Sequence, residues 1–246
     1  MSAFDQLAAQ YDERWTNTPA GRSQRSAVWR QIDPLFHSGD NVLDLGCGTG
    51  EDAVHLAESG VCVRAIDASS EMVHAARSRG VDATVLSLED LSCIKQTFDG
   101  ALSNFGALNC VHHLSPLRQP LGRMVRPGGH LAICMIGRFC LWETLWFALH
   151  GQLRKAARRW SGSTTSSSLG LRVFYPSLRH IRSALSPEFR LVRVTGVGAF
   201  VPPSFVTGFS RRTVARFEAI DRRIAHLPGI RALCDHRLLI FQRRHR

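Results

Sequence analysis

Between residues 40 and 137 the chain alternates short apolar runs with stripes at helical spacing. Val42–Leu45 is hydrophobic apart from Asp44, and a run that short and that apolar reads as a strand buried on both faces. Val61–Asp67, Val81–Leu86, Phe98–Ser103 and His130–Ile136 repeat the pattern. Helices are expected between them over Glu51–Glu58, from Ser69 or Ser70 onward, and over Pro116–Val125. In the second of these, Met72, Val73 and Ala76 form the inward stripe and the serines supply the cap. Such alternation predicts an α/β fold, a doubly wound, mostly parallel Rossmann-like sheet with helices on both faces.

The flanks complete the outline. Phe4, Leu7, Ala8, Tyr11 and Trp15 place a helix over 4–15, Thr16–Pro19 breaks it, and a second helix runs from Pro19 toward Ile32. Later, Tyr175-Pro176-Ser177 opens a helix to Leu185, Phe189–Val197 is a sixth strand and Arg237–Gln242 a seventh. A basic helix spans Arg211–Ala225, its arginines on an exposed face, and Ser161–Ser168 is a Ser/Thr-rich loop. One domain over 1–246 follows: N-terminal helices in 1–38, a core in 39–137, an insertion in 138–188, and the last two strands with a covering helix in 189–246.

The insertion breaks the regular pattern. Phe139, Trp142, Leu145, Trp146, Leu149, Leu153, Ala156, Ala157 and Trp160 recur every three or four residues, with Arg154, Lys155, Arg158 and Arg159 mainly opposite. A helix over 139–160, which Gly151 can split, would serve as a peripheral contact with an anionic membrane, a lid over an apolar substrate, or a plain cover with a solvated basic face.

Composition narrows the partners. At 44% apolar and 21% charged residues, the chain has enough hydrophobic material for an ordinary globular core. Its formal net charge is +11, most of the excess lying after residue 150, which suits nucleic acid, an anionic membrane, an acidic substrate or merely a solvated surface. Seven cysteines without a Cys-x-x-Cys pair suggest reduced thiols, a cytoplasmic setting and no metal site. No run of 18 apolar residues is present, and no signal peptide is recognisable.

The chemistry starts at Asp44-Leu45-Gly46-Cys47-Gly48-Thr49-Gly50-Glu51, a glycine turn between a strand and a helix. Glycine there lets a ligand lie against the backbone, and the new helix end favours negative charge. A dinucleotide fingerprint would place a glycine where Glu51 stands, and no lysine follows Gly50 to make a phosphate loop. The second strand ends in Asp67, placed to accept ribose hydroxyls at the carboxyl edge of an open sheet.

This turn resembles the first motif of class I S-adenosylmethionine (SAM) dependent methyltransferases, and Arg126-Pro127-Gly128-Gly129 before the fifth strand resembles another of their features. The resemblance covers residues 40–137 and implies a seven-stranded sheet with substrate-covering insertions. It also implies SAM as cofactor, held by Tyr11, Asp44, Gly46, Gly48, Gly50, Asp67, Ala68, Ser87, Leu88, Glu89 and Asn104. Ser87 stands where such enzymes often carry the acid that takes the adenine amino group, so Ser87 or Glu89 would substitute. Tyr11 would reach the methionine end, unless its helix simply packs on the sheet edge.

The implied reaction is methyl transfer to a small hydrophobic acceptor such as a phenol, quinone, lipid or natural product. His112 and His113 follow the fourth strand and are candidates for the base a hydroxyl acceptor would need. Nucleic acid is disfavoured as acceptor, because Ser103-Asn104-Phe105-Gly106 replaces the Asn/Asp-Pro-Pro-Tyr/Phe of amino-methylating DNA enzymes. A nicotinamide oxidoreductase and a non-catalytic, membrane-associated SAM-binding protein are the readings from other classes. Oligomeric state is left open.

Overall fold

The computed structural model describes residues 4–166, 170–206 and 208–245. Its main sheet has strands β1 (Asn41–Leu45), β2 (Cys62–Asp67), β3 (Asp82–Val85), β4 (Phe98–Ser103), β5 (Val125–Ile136), β8 (Phe189–Val197) and β9 (His236–Arg243). The spatial order is β3-β2-β1-β4-β5-β9-β8, with β9 alone antiparallel to its neighbours. The chain runs outward from β1 to β3, returns to the far side of β1 for β4, and so leaves a switch point between β1 and β4. Ligands of open α/β sheets bind outside the carboxyl ends of the strands at such a point.

Ten α-helices accompany the sheet among the described residues: α1 (Ala8–Tyr11), α2 (Pro19–Ile32), α3 (Glu51–Glu58), α4 (Ser70–Ser78), α5 (Arg118–Met124), α6 (Leu141–Leu149), α7 (Leu153–Ala156), α8 (Leu178–Leu185), α9 (Arg211–Ile224) and α10 (Pro228–Leu233). One face of the sheet buries Leu43, Leu45, Leu131 and Leu239 against Leu121 of α5 and Ile181 and Leu185 of α8. The other buries Val42, Leu102, Ala132 and Ile240 against Val28 and Ile32 of α2 and Leu56 of α3. Side chains alternate between faces along a strand, so a strand feeding both layers must be apolar at consecutive positions. That is why β1 is buried from Val42 to Leu45 with Asp44 included. The caps are local: Thr18 Oγ1 accepts from Gly21 N at 3.0 Å ahead of Pro19, and Ser69 Oγ accepts from Met72 N at 3.2 Å.

The structure corrects the outline in four places. The helix expected over 4–15 is α1 followed by a wider π-helical turn, Asp12–Thr16. The helix expected over Pro116–Val125 starts as a 3-10 turn, Ser115–Leu117, and α5 gives way to β5 at Val125, so Arg126–Gly129 lies within the strand. The Ser/Thr-rich segment is a hairpin rather than a loop, β6 (Ser163–Thr165) pairing antiparallel with β7 (Arg172–Phe174), while Ser167 and Ser168 lie outside the described residues. The helix expected over 139–160 is shorter, confined to α6 and α7, with the expected split at Gly151, whose φ of 71° suits a residue without a Cβ.

The break also halves the expected solvated basic face, leaving Arg154 and Lys155 exposed while Arg158 and Arg159 are drawn into ion pairs. Past Gly151 the chain folds back, and Arg158 donates to both oxygens of Glu143 at 2.7 and 2.8 Å. Arg159 donates to Glu143 at 2.6 Å and to Asp235 at 2.8 Å. Arg159, Glu143 and Asp235 are all buried. Burial raises the Asp235 carboxyl, but His236 and Arg159 outweigh it and hold the group well below the usual carboxylate range. Removing one member of a buried ion network strands the others, at a cost of about 3–5 kcal/mol. Arg159→Met is therefore expected to lower the unfolding free energy extrapolated from urea titration by an amount of that size, seen as a lower midpoint at unchanged slope, with exposed Arg154→Met as the neutral control.

Candidate functional site

A cavity of about 310 Å³ opens outside the carboxyl ends of β1, β2 and β4. On the side toward β2 and β3 it is lined by Gly46, Gly48, Asp67, Ala68, Met72, Leu86, Ser87, Leu88 and Glu89. On the side toward β4 and β5 it is lined by Asn104–Ala107, Cys110, Val111 and Ile136, with Val173 from the hairpin. Phe4 and Tyr11 reach it from the N-terminal segment. Nine of the expected cofactor residues therefore meet in one cavity: Tyr11, Gly46, Gly48, Asp67, Ala68, Ser87, Leu88, Glu89 and Asn104.

The glycine turn is built for close approach. Gly46, Gly48 and Gly50 have φ of 75°, 54° and 83°. A Cβ at Gly46 would lie 2.3 Å from the Ala107 Cβ, and one at Gly50 would press on Ala76 and Val81, so those two glycines allow packing. A Cβ at Gly48 would meet nothing within 4 Å. That position faces the open cavity. The turn's donors are largely committed within the fold: Gly46 and Cys47 donate to the Ile66 carbonyl at 2.8 and 3.0 Å, and Gly50 donates to the Cys47 carbonyl at 3.0 Å.

Gly48 N donates to Asp67 Oδ2 and Ser69 N to Asp67 Oδ1, both at 2.9 Å. A carboxylate offers about four lone-pair sites, so with Gly48, Ser69 and, more weakly, Ala68 donating, room is left for a hydroxyl. Burial raises the Asp67 carboxyl, and the backbone donors Ser69 and Gly48 only partly offset it. Ser87 Oγ accepts from Glu89 N at 3.2 Å and caps the turn Leu88–Cys93. Asn104 is engaged at both ends, its Oδ1 accepting from Phe105 N at 3.0 Å and its Nδ2 donating to Asp52 at 3.1 Å. It shapes the cavity wall.

Beneath the turn, Asp52 of α3 also accepts from Arg25 at 2.5 Å and from Trp29 Nε1 at 2.7 Å. The same group of charges surrounds Asp44, whose Oδ2 is buried without a partner and whose carboxyl burial pushes well above its usual range. Phe105 follows at φ 47°, a left-handed conformation rare for a bulky residue and worth about 1–3 kcal/mol of strain. Its ring lies against Trp15 at 4.5 Å and His236 at 5.1 Å, with the Arg25 guanidinium 5.1 Å away. The N-terminal segment is tied over the turn by Asp12, which accepts from Thr49 Oγ1 at 2.8 Å and pairs with Arg79, and by Asp5, which accepts from Ser69 Oγ. Tyr11 is pushed up to about 12, chiefly by burial, and stays a neutral phenol.

Four expected site residues lie elsewhere. Asp44 and Gly50 support the turn from behind and do not line the cavity. His112 and His113 are exposed, their rings 3.9 Å apart with His112 on Phe174, while Val111 before them turns inward. Neither imidazole lines the cavity. The lining from Phe105 to Val111 and at Ile136 and Val173 was not legible as site residues; only the Phe105-Gly106 pair, next to a strand end, hinted at a tight turn.

Comparison with known proteins agrees with this geometry. Residues 42–129 match the model of the methyltransferase domain family. Over those residues the chain is similar to methyltransferase domains. A demethylmenaquinone methyltransferase of Mycobacterium sp. (strain KMS) is 36% identical over 140 residues, spanning 54% of this chain and 57% of that protein. The chain thus matches little more than half the length of this relative. A SAM-dependent methyltransferase from Mesorhizobium loti shares the fold with a TM-score of 0.64 at 19% identity, over 92% of this chain and 100% of the other. The N-methyltransferase NodS from Bradyrhizobium japonicum WM9, solved with S-adenosyl-L-homocysteine, gives 0.55 at 15%, over 93% and 90%.

The residues present fit SAM. Asp67 has lone pairs to spare, Gly48 leaves room at the backbone, and Met72, Leu86 and Leu88 provide an apolar wall for a base. Asp67→Ala is expected to weaken SAM binding by about 1–3 kcal/mol in calorimetry. Because hydroxyls donate to the ionised carboxylate, wild-type affinity should fall as pH drops through the Asp67 pKa, which burial sets above the ordinary carboxylate value, and the variant should lose this dependence. Gly48→Val puts a branched side chain into the cavity at a left-handed φ and should abolish SAM binding while circular dichroism stays that of the wild type.

Proposed function

We propose that this chain transfers the methyl group of SAM to a small hydrophobic acceptor of quinone or phenol type. The observation that carries the reading is the division of one cavity. Asp67, Ser87 and Glu89 line it toward β2 and β3, while Phe105, Ala107, Val111, Ile136 and Val173 line it toward β4 and β5. A polar nucleoside and an apolar acceptor would meet between them. The name of the mycobacterial relative supports a quinone-like acceptor.

The cofactor supplies an activated methyl group on a sulfonium. The protein's part is alignment and exclusion of water, for which Phe4 and Tyr11 close over the cavity and Asn104, fixed by Asp52, sets its wall. Asp67 would hold the ribose, Ala68 and Leu88 would flank the base, and Ser87 or Glu89 would take its polar edge. Cys110 lines the acceptor side with a thiol that burial pushes up, so it stays neutral and adds a soft wall. With His112 and His113 outside the lining, an acceptor that is already acidic, or a carbon nucleophile, suits the site better than one that must lose a proton to a histidine.

Tritium from methyl-labelled SAM should appear in hydrophobic quinols or phenols and not in tRNA or duplex DNA. His112→Ala and His113→Ala should each keep at least about half of the wild-type rate, well short of the hundredfold loss expected of a general base. Tight SAM binding with no transfer to any acceptor in the panel would favour a non-catalytic SAM-binding protein.

A further inference from the structure

Helix α6 turns its acid inward and its leucines outward, with its aromatic rings half-buried between them. In Leu141–Leu149 the one buried side chain is the acidic Glu143, while Leu145 is 50% and Leu149 84% exposed. Leu153, the first residue of α7, is 69% exposed. A helix on a globular domain ordinarily turns its leucines inward and its acids outward. Here the reversal is locked by the ion network, because Glu143 is held by Arg158 and Arg159, and Arg159 by Asp235 at the end of the sheet. The leucines therefore cannot turn inward without pulling a buried carboxylate out of its partners.

We propose that the α6–α7 tongue docks on an anionic lipid bilayer and presents the acceptor side of the cavity to it. Charge selects the occupant. From Arg138 to Pro187 the sequence has eight Lys and Arg residues against a single acid, and that acid is the buried Glu143. Arg154 and Lys155 are exposed directly after Leu153. An apolar ridge bordered by unopposed cations matches anionic headgroups over an acyl layer. A second copy of the chain would bring the same positive surface and net charge of +11, so self-association through this face is opposed. Among the described residues no helix is long and apolar enough to cross a membrane, which leaves a peripheral mode.

Connectivity links the tongue to the cavity. It leaves the body after Ile136 and re-enters it at Val173, and both line the acceptor side. Asn109 clamps these two ends, donating to the Phe174 carbonyl at 2.6 Å and the Ile136 carbonyl at 3.3 Å. The inference rests on the proposed apolar acceptor, since such a molecule resides in the bilayer.

The test is cosedimentation of the full chain with vesicles of equimolar phosphatidylglycerol and phosphatidylcholine, and of phosphatidylcholine alone. Binding is expected only to the anionic vesicles, weakening as salt rises. Leu149→Ser with Leu153→Ser, both on the exposed face, should reduce it about tenfold or more. In this double variant SAM affinity by calorimetry and transfer to a detergent-dispersed acceptor should be unchanged, whereas transfer to a vesicle-embedded acceptor should fall. No binding at low salt, equal binding of wild type and variant, or sedimentation equilibrium showing a wild-type dimer that the leucine variant breaks would each overturn the proposal. None of those outcomes touches the methyltransferase reading, which fails only if vesicle-free SAM binding or transfer fails.

Discussion

The carboxylate of Asp52 is the point on which the cavity depends. It lies on α3, the helix that follows the glycine turn, and takes hydrogen bonds from Arg25 and Trp29 of α2 and from Asn104 after β4. Three segments distant in sequence are thereby fixed at the tip of β1. A fully buried carboxylate is tolerable only with partners of this kind. Once the network forms, Asn104 is locked, Phe105 is forced into its left-handed conformation, and the ring of Phe105 packs among Trp15, Arg25 and His236. The wall of the cavity is thus set by charges behind it.

A second ion network governs the tongue and adjoins the first, since His236 beside Asp235 packs on the Phe105 ring. Arg159, Glu143 and Asp235 hold the tongue at the carboxyl end of the sheet, where the antiparallel β9 begins. The first gathers three donors on one buried carboxylate, and the second joins one buried arginine to two carboxylates. In both, the reward is geometric definition of a loop that hydrophobic packing alone would leave loose.

The parts of the fold legible in the sequence were those set by short-range periodicity. Val42–Leu45 and Phe98–Ser103 must be apolar because each feeds two core layers, and Ser69 caps its helix through a contact three residues away. Asp67 and Gly48 were legible for a similar reason, since a strand tip and a glycine turn confine what can happen there. The failures involve partners far apart in the chain. Arg158 and Arg159 have the pattern of a solvated face, but Asp235 lies more than seventy positions away and pulls Arg159 inside. His112 and His113 follow a strand end as site residues often do, yet nothing local reveals that Val111 takes the inward position and leaves both imidazoles outside. The acceptor wall draws on Ile136 and Val173, brought together by Asn109 across a tongue whose return path no local pattern predicts.

The bond from Gly48 N to Asp67 has a consequence for selectivity. In phosphate-binding glycine turns the free N–H groups welcome anions. Here the donors of Gly46, Cys47, Gly48 and Gly50 are already committed within the fold, and the nearest charge is a carboxylate. A nucleoside carrying a polyphosphate would bring negative charge to a place with few free donors and one like charge. A nucleoside whose tail is cationic at sulfur meets no such like charge at Asp67.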